Sequence, residues 1–165
     1  MDRRQLVAGL GLVGTVAPLL VSTQASAKPS AHAAYREGTL TISTISRRAS
    51  ELAIKQGSPA IQTFAKLELA EQMTVGQTLL NKDAPPLKTL SAEDNDALAK
   101  LAALSGPQFD QAYVAAEIGG HKKLLGIQET LIAKEGLGSN LSHIAYFLRT
   151  FIHEHLDLLA QLQKA

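Results

Sequence analysis

The chain has 165 residues, 45% of them hydrophobic but only 4% aromatic, with 16 Lys and Arg against 15 Asp and Glu. A formal net charge of +1, with no long run of one sign, excludes the clustered basic face that nucleic acid requires and a polybasic membrane-surface anchor. The absence of cysteine excludes disulfides, thiolate metal sites, a cysteine nucleophile and a lipidated N-terminal cysteine.

Asp2-Arg3-Arg4 gives a short charged start, Leu6 to Val21 is a mostly apolar run broken by glycines and Pro18, and Ala25-Ser26-Ala27 has the small-x-small form that signal peptidase cuts. Residues 1–27 therefore read as an export signal. The run is shorter than the roughly 20 residues of a membrane span, so the mature chain is expected to carry no transmembrane segment. The expected location is the periplasm, by Sec or, given Arg3-Arg4, by twin-arginine export. The alternative is an inner-membrane anchor left uncleaved. Taking Arg3 and Arg4 from the basic total and Asp2 from the acidic total leaves a neutral remainder from Lys28, sized for one domain with one core.

Residues 28–37, with Pro29, Ser30 and several alanines, read as a flexible lead-in to a domain over 38–165. Thr39-Leu40-Thr41-Ile42 alternates like a strand, yet no partner strand exists and the register then changes. Ile42, Ile45, Ala49 and Leu52 recur at helical spacing, with Arg47, Arg48, Glu51 and Lys55 opposite, so a helix is expected. Gly57-Ser58-Pro59 predicts a left-handed helix stop, a cap and a restart, which lays the first two helices antiparallel. The second helix runs from about Pro59 to Asn81 through Ile61, Phe64, Ala65, Val75 and Leu79, ending before Asp83-Ala84-Pro85-Pro86. Leu87 to Gly106 is a long crossover with a short helix that starts near Ser91 and uses Leu98, Leu101, Ala102 and Leu104. Ser105-Gly106-Pro107 opens a third long helix through Phe109, Tyr113, Leu124, Ile127 and Leu131 to about Lys134. Gly136 and Gly138 stop it, and Ser139 or Asn140 caps a last helix through Leu141, Ala145, Leu148, Ile152, Leu159 and Leu162. The expected fold is all-α: a ferritin-like four-helix bundle whose long helix 2–3 crossover contains a short helix.

Polar residues on the inward stripes are the informative ones, because burying them unpaired costs free energy. His155 falls between Ile152 and Leu159. Tyr113, Glu117 and His121 follow Phe109 at steps of four, and Glu68 and Gln72 sit in register between Phe64 and Val75. Imidazoles from His121 and His155 with carboxylates from Glu68 or Glu117 would suit zinc, iron or manganese. However, the Glu-x-x-His spacing of carboxylate-bridged two-metal bundles is absent, and His153 points about 200° away from His155. The competing reading is a structural polar network with Gln72 and Tyr113 and no cofactor, and sequence alone favours it. His32 and His143 read as solvated, as does the Arg47-Arg48 step. No phosphate-binding loop, dinucleotide fingerprint or nucleophile elbow is present.

Phe109-Asp110-x-x-Tyr113 followed by His121, together with Ser58-Pro59, Phe64-Ala65 and His155-Leu156, resembles the bacterial family called domain of unknown function 4142. The resemblance spans roughly residues 38–162. It implies an exported helical bundle related to ferritin-like folds, without an established activity, in which His121 and His155 are the positions of interest. Such proteins usually carry Asp-His where this chain has Glu71-Gln72, so one imidazole is missing and Glu68 or Glu71 would have to substitute. The expected role is a non-enzymatic one, binding or envelope-related, with an envelope partner or a second copy of the chain as the expected contact. Metal binding through the interior His/Glu cluster is the alternative.

Overall fold

The computed structural model describes residues 30–164, and the export signal read over residues 1–27 lies outside the described residues. Among the described residues the chain is all-α, with five helices and no strand: α1 Ala31–Gln56, α2 Pro59–Leu80, α3 Ala92–Ala102, α4 Gly106–Glu135 and α5 Asn140–Leu162. None of these helices is long and apolar enough to cross a membrane.

α1 begins at Ala31, well inside the stretch read as a flexible lead-in. The Ser30 hydroxyl caps it by accepting the Ala33 N–H at 3.2 Å. Tyr35 then anchors the first turns, 3% exposed, with its hydroxyl donating to Gln128 Oε1 of α4 at 2.8 Å. The buried face of α1 also differs from the expected one. Ile42, Ile45 and Leu52 flank it, partly covered, while Thr39, Ser43, Ser46 and Ser50 occupy its centre. Apolar periodicity cannot find such a face, because its small hydroxyl residues are buried by close helix approach and by hydrogen bonds to neighbouring helices.

Gly57 departs from the expected left-handed stop. Its φ of −74° and ψ of 162° are extended, and Gly57 is required instead by space. A Cβ there would lie 2.6 Å from Ile61 Cγ2 and 2.8 Å from the Ala53 carbonyl oxygen. The left-handed cap is at the end of α2, where Asn81 has φ 51° and ψ 51°. Ser139 caps α5 through a reciprocal pair with Ser142, each side chain engaging the other's backbone N–H at 3.1 Å.

α1 is the central element, packed on α2, α4 and α3, and α4 pairs with α5. The crossover is tied to α1 by Arg48, which donates to Asn95 Oδ1 at 3.0 Å, and by the Lys88 N–H, which donates to Thr44 Oγ1 at 3.1 Å. Arg47, read as solvated, is half-buried and reaches the Pro85 carbonyl at 3.4 Å. Two apolar clusters form the core. Ala53, Ile61, Phe64, Phe109, Tyr113 and Leu159 belong to one, and Tyr35, Val75, Leu79, Leu124, Leu148 and Ile152 to the other. On each long helix the residues between these clusters are polar and buried, so a polar layer crosses the interior at mid-height.

Candidate metal centre

One turn from each long helix builds the layer. α1 supplies Ser46, α2 Glu68 and Glu71, α4 Glu117 and His121, and α5 His155. Glu68 is fully buried, and Glu117, His121 and His155 are 3%, 3% and 9% exposed. The four residues singled out from sequence therefore do come together. His153 is exposed on the far side of α5, as its angular offset requires. His32 lies on α1 and pairs with Glu135 at 2.7 Å, and exposed His143 has Nε2 3.2 Å from the Leu137 carbonyl.

His121 is held by its outer nitrogen, and the outer nitrogen of His155 lies at ion-pair distance from Glu71. His121 Nδ1 is 2.8 Å from the Glu117 backbone carbonyl and 3.6 Å from Glu117 Oε2. His155 Nε2 is 3.1 Å from Glu71 Oε2. An imidazole that donates from one nitrogen keeps a lone pair on the other unless it carries a second proton. The two inner nitrogens, His121 Nε2 and His155 Nδ1, are 3.2 Å apart. Both face Glu68 Oε2, at 3.5 and 2.9 Å. The shorter of these is an ion-pair distance lying off the N–H direction, and Glu68 Oε2 has no hydrogen-bond donor directed at it. Its other oxygen, Oε1, accepts from Ser46 at 2.6 Å.

Three inward-facing donor atoms at these separations lie on a circle of about 1.9 Å radius, close to the bond length such atoms make to a transition-metal cation, so Glu68, His121 and His155 are the residues that would hold one. The donor set of two imidazoles and a carboxylate fits zinc, iron(II) or manganese(II). Glu71 and Glu117 stand behind the two rings as orienting acceptors. Phe64 meets the His155 ring edge-on at 5.3 Å, and Tyr113 stacks on Phe109 at 6.1 Å, forming an apolar wall on one side.

Ser46 lies 2.6 Å from Glu68 Oε1 and 3.2 and 3.1 Å from the two Glu117 oxygens, so one hydroxyl stands between two buried carboxyls. Their titration is pushed apart. Burial raises Glu117 well above the usual carboxylate range, and the Glu68 charge adds to this. Burial acts on Glu68 in the same sense but is overcome by the close approach of His121 and His155 and by the Ser46 hydrogen bond, so Glu68 stays ionised well below that range. His121 is raised: burial opposes its charge, and the adjacent, negatively charged Glu68 carboxylate outweighs burial. Glu71 is raised by burial, with His155 acting against the shift.

Gln72 and Tyr113 take other parts than expected. Tyr113 OH pairs with Ser50 at 3.0 Å, and the Gln72 backbone carbonyl accepts from Ser43 at 3.1 Å. Gln72 Oε1 is buried with no hydrogen-bond partner. Ser46 was missed from sequence. The signal that could have found it is the helical repeat of hydroxyls at Thr39, Ser43, Ser46 and Ser50.

Neither the curated proteins nor the solved structures contain a match to the chain. A family model described as Domain of unknown function (DUF4142) matches residues 20–162. That span holds all five helices and every residue of the polar layer, so the chain belongs to the DUF4142 family.

Proposed function

We propose that this protein binds one divalent cation of the zinc, iron(II) or manganese(II) class through Glu68, His121 and His155. One observation carries the reading: Glu68 Oε2, His121 Nε2 and His155 Nδ1 converge within 3.5 Å of one another, and Glu68 Oε2 lacks a hydrogen-bond donor. The two inner nitrogens are hydrogen-bond partners at 3.2 Å, so the metal-free pair shares one proton between them. A bound cation takes its place. A purely structural network, the reading sequence favours, would leave the fully buried Glu68 Oε2 without a hydrogen bond, at a cost of about 1–3 kcal/mol or more. A cation removes that deficit.

The setting we propose is a ferritin-like arrangement of α1, α2, α4 and α5, in a protein exported by residues 1–27 and working in the periplasm. The support is the length of the crossover between α2 and α4, the antiparallel links at Gly57-Ser58 and Gly136 to Ser139, and the composition of the leader. The role is binding. To test it, untagged protein is stripped with chelator, re-equilibrated separately with each metal, and assayed by elemental analysis. One equivalent per chain is expected for at least one metal, with loss in both His121→Ala and His155→Ala. Stoichiometric metal in both variants, or in none of the proteins, refutes the site.

A further inference from the structure

Glu68, His121 and His155 lie inside the bundle, so a cation held there needs a way in. The donors differ in how closely water approaches them. The Glu68 side chain is fully buried and that of His121 is 4% exposed, whereas His155 is 11% exposed and Glu71, against its outer nitrogen, is 25% exposed. Water therefore comes closest to the donor set at the Glu71–His155 pair, where α2 and α5 meet. A hollow of about 220 Å³ opens at this point, with Glu71 in its wall beside Val75, Phe147, Leu148 and Phe151.

The polar layer is also reached from the α1/α4 side. A hollow of about 450 Å³ between α1, α3 and α4 has Ser46 and Glu117 in its wall. An ion entering there meets Glu68 Oε1, the oxygen that Ser46 holds, and not the one facing the imidazoles. Three contacts of the Ser46 hydroxyl, at 2.6, 3.1 and 3.2 Å, have to yield before it can pass. From the α2/α5 side one contact stands in the way, the 3.1 Å pairing of His155 Nε2 with Glu71 Oε2.

Charge separates the two routes further. Lys123 offsets Asp94 at the α1/α4 hollow. On the α2/α5 side, exposed Glu154 stands near enough for its charge to act on Glu71. Two carboxylates thus meet an arriving cation, flanked along α5 by the apolar side chains of Phe151 and Leu158. Charge of one sign between low-dielectric walls concentrates counter-ions and raises their rate of association. An acidic pair alone would mark no site. This pair stands outside Glu68 Oε2, a fully buried oxygen with no donor directed at it.

We infer that Glu71 is the gate of the metal centre: with Glu154 it receives the incoming cation at the α2/α5 surface and passes it inward past the His155 ring. This rests on the metal reading and adds the route to it. The test uses untagged protein expressed from the full-length gene, stripped with chelator, and whichever of zinc, iron(II) and manganese(II) it retains at one equivalent. That metal alone is added, chelator stops uptake at set times, and protein-bound metal is counted. Glu154 is exposed and touches no ligand, so Glu154→Lys should keep the native circular dichroism and melting temperature. Its uptake at low salt should slow by roughly threefold to tenfold, a difference that shrinks at high salt. Glu71→Gln should slow uptake by about tenfold or more. Gly119→Leu fills the other hollow, since a Cβ at Gly119 meets nothing within 4 Å, and should leave the rate unchanged. A Glu71 that only orients His155 would alter metal release and leave the Glu154→Lys uptake rate native. A native uptake rate in Glu154→Lys at low salt, or slowed uptake in Gly119→Leu, overturns the route and leaves the site standing. A native chain that retains no stoichiometric metal overturns both.

Discussion

Glu68→Gln separates a metal ligand from a structural acceptor. The amide has almost the same shape, so Ser46 can still donate to its carbonyl oxygen, while its N–H groups turn toward His121 Nε2 and His155 Nδ1. In metal-free protein this supplies the donor that the carboxylate oxygen lacks, and the change in stability near neutral pH should stay within about 1–2 kcal/mol. Metal binding should be lost, because an amide nitrogen facing the rings cannot replace the carboxylate oxygen. A cation present at 100 times its Kd stabilises the native chain by about 2.7 kcal/mol. For a domain of this length that is on the order of 10 °C in melting temperature. The assay is a thermal melt followed by circular dichroism, with and without each metal, at two pH values. His121 is raised by Glu68, so its contribution to metal-free stability is fully present below its unfolded value near about 6.5 and is lost as pH rises through the higher folded value. The native metal-free chain should therefore lose stability above neutrality, the metal-induced rise should grow with pH as protons stop competing, and the variant should show neither trend. An equal metal-dependent rise in Glu68→Gln and native protein would refute the reasoning.

Ser46→Ala removes the one hydroxyl shared by two buried carboxyls, and urea unfolding should show a loss of about 1–3 kcal/mol. Gly57→Ala should destabilise by on the order of 1 kcal/mol or more through its clash with Ile61 and the Ala53 carbonyl, and pairing it with Ile61→Val should recover part of the loss. No recovery would mean that backbone conformation, not space, is what matters there. N-terminal sequencing of periplasmic protein should begin at Lys28, and full-length chain in the membrane pellet would refute cleavage after Ala27.

The helices were legible because each boundary carries its own chemistry. Ser30, Ser91 and Ser139 cap by accepting backbone N–H groups, and Pro59 and Pro107 sit in first turns where the missing N–H costs nothing. The site was legible in part, because Glu68, Glu117, His121 and His155 interrupt otherwise apolar stripes. What sequence could not show was the face of α1. Serine and threonine are found on surfaces and in cores alike, and only close approach of α2 and α4 distinguishes the two cases. The role of Glu71 was similarly hidden: nothing in its spacing tells that His155 turns Nε2 outward toward it. Gly57 was misread for a third reason. Glycine can be needed for its missing Cβ as well as for its freedom in φ, and a Gly-Ser-Pro junction is compatible with both.

The polar layer is expensive for a core of this kind. Two apolar clusters already hold the four long helices at either end, and apolar residues of similar volume in the layer would join them into one continuous core. Replacing buried charge networks in this way is often neutral or stabilising by about 1–4 kcal/mol. The layer as built contains an ionised Glu68, a Glu117 driven toward its neutral form, a His121 driven toward its charged form and one hydroxyl between two carboxyls. Helix register alone would need only one matched pair. The surplus is in acceptors: Glu68 Oε2 lacks a directed donor, and the two inner imidazole nitrogens share a single line of approach. That convergence of Glu68, His121 and His155 beside Phe64, at a cost in stability that helix register does not require, is what supports the proposed cation site.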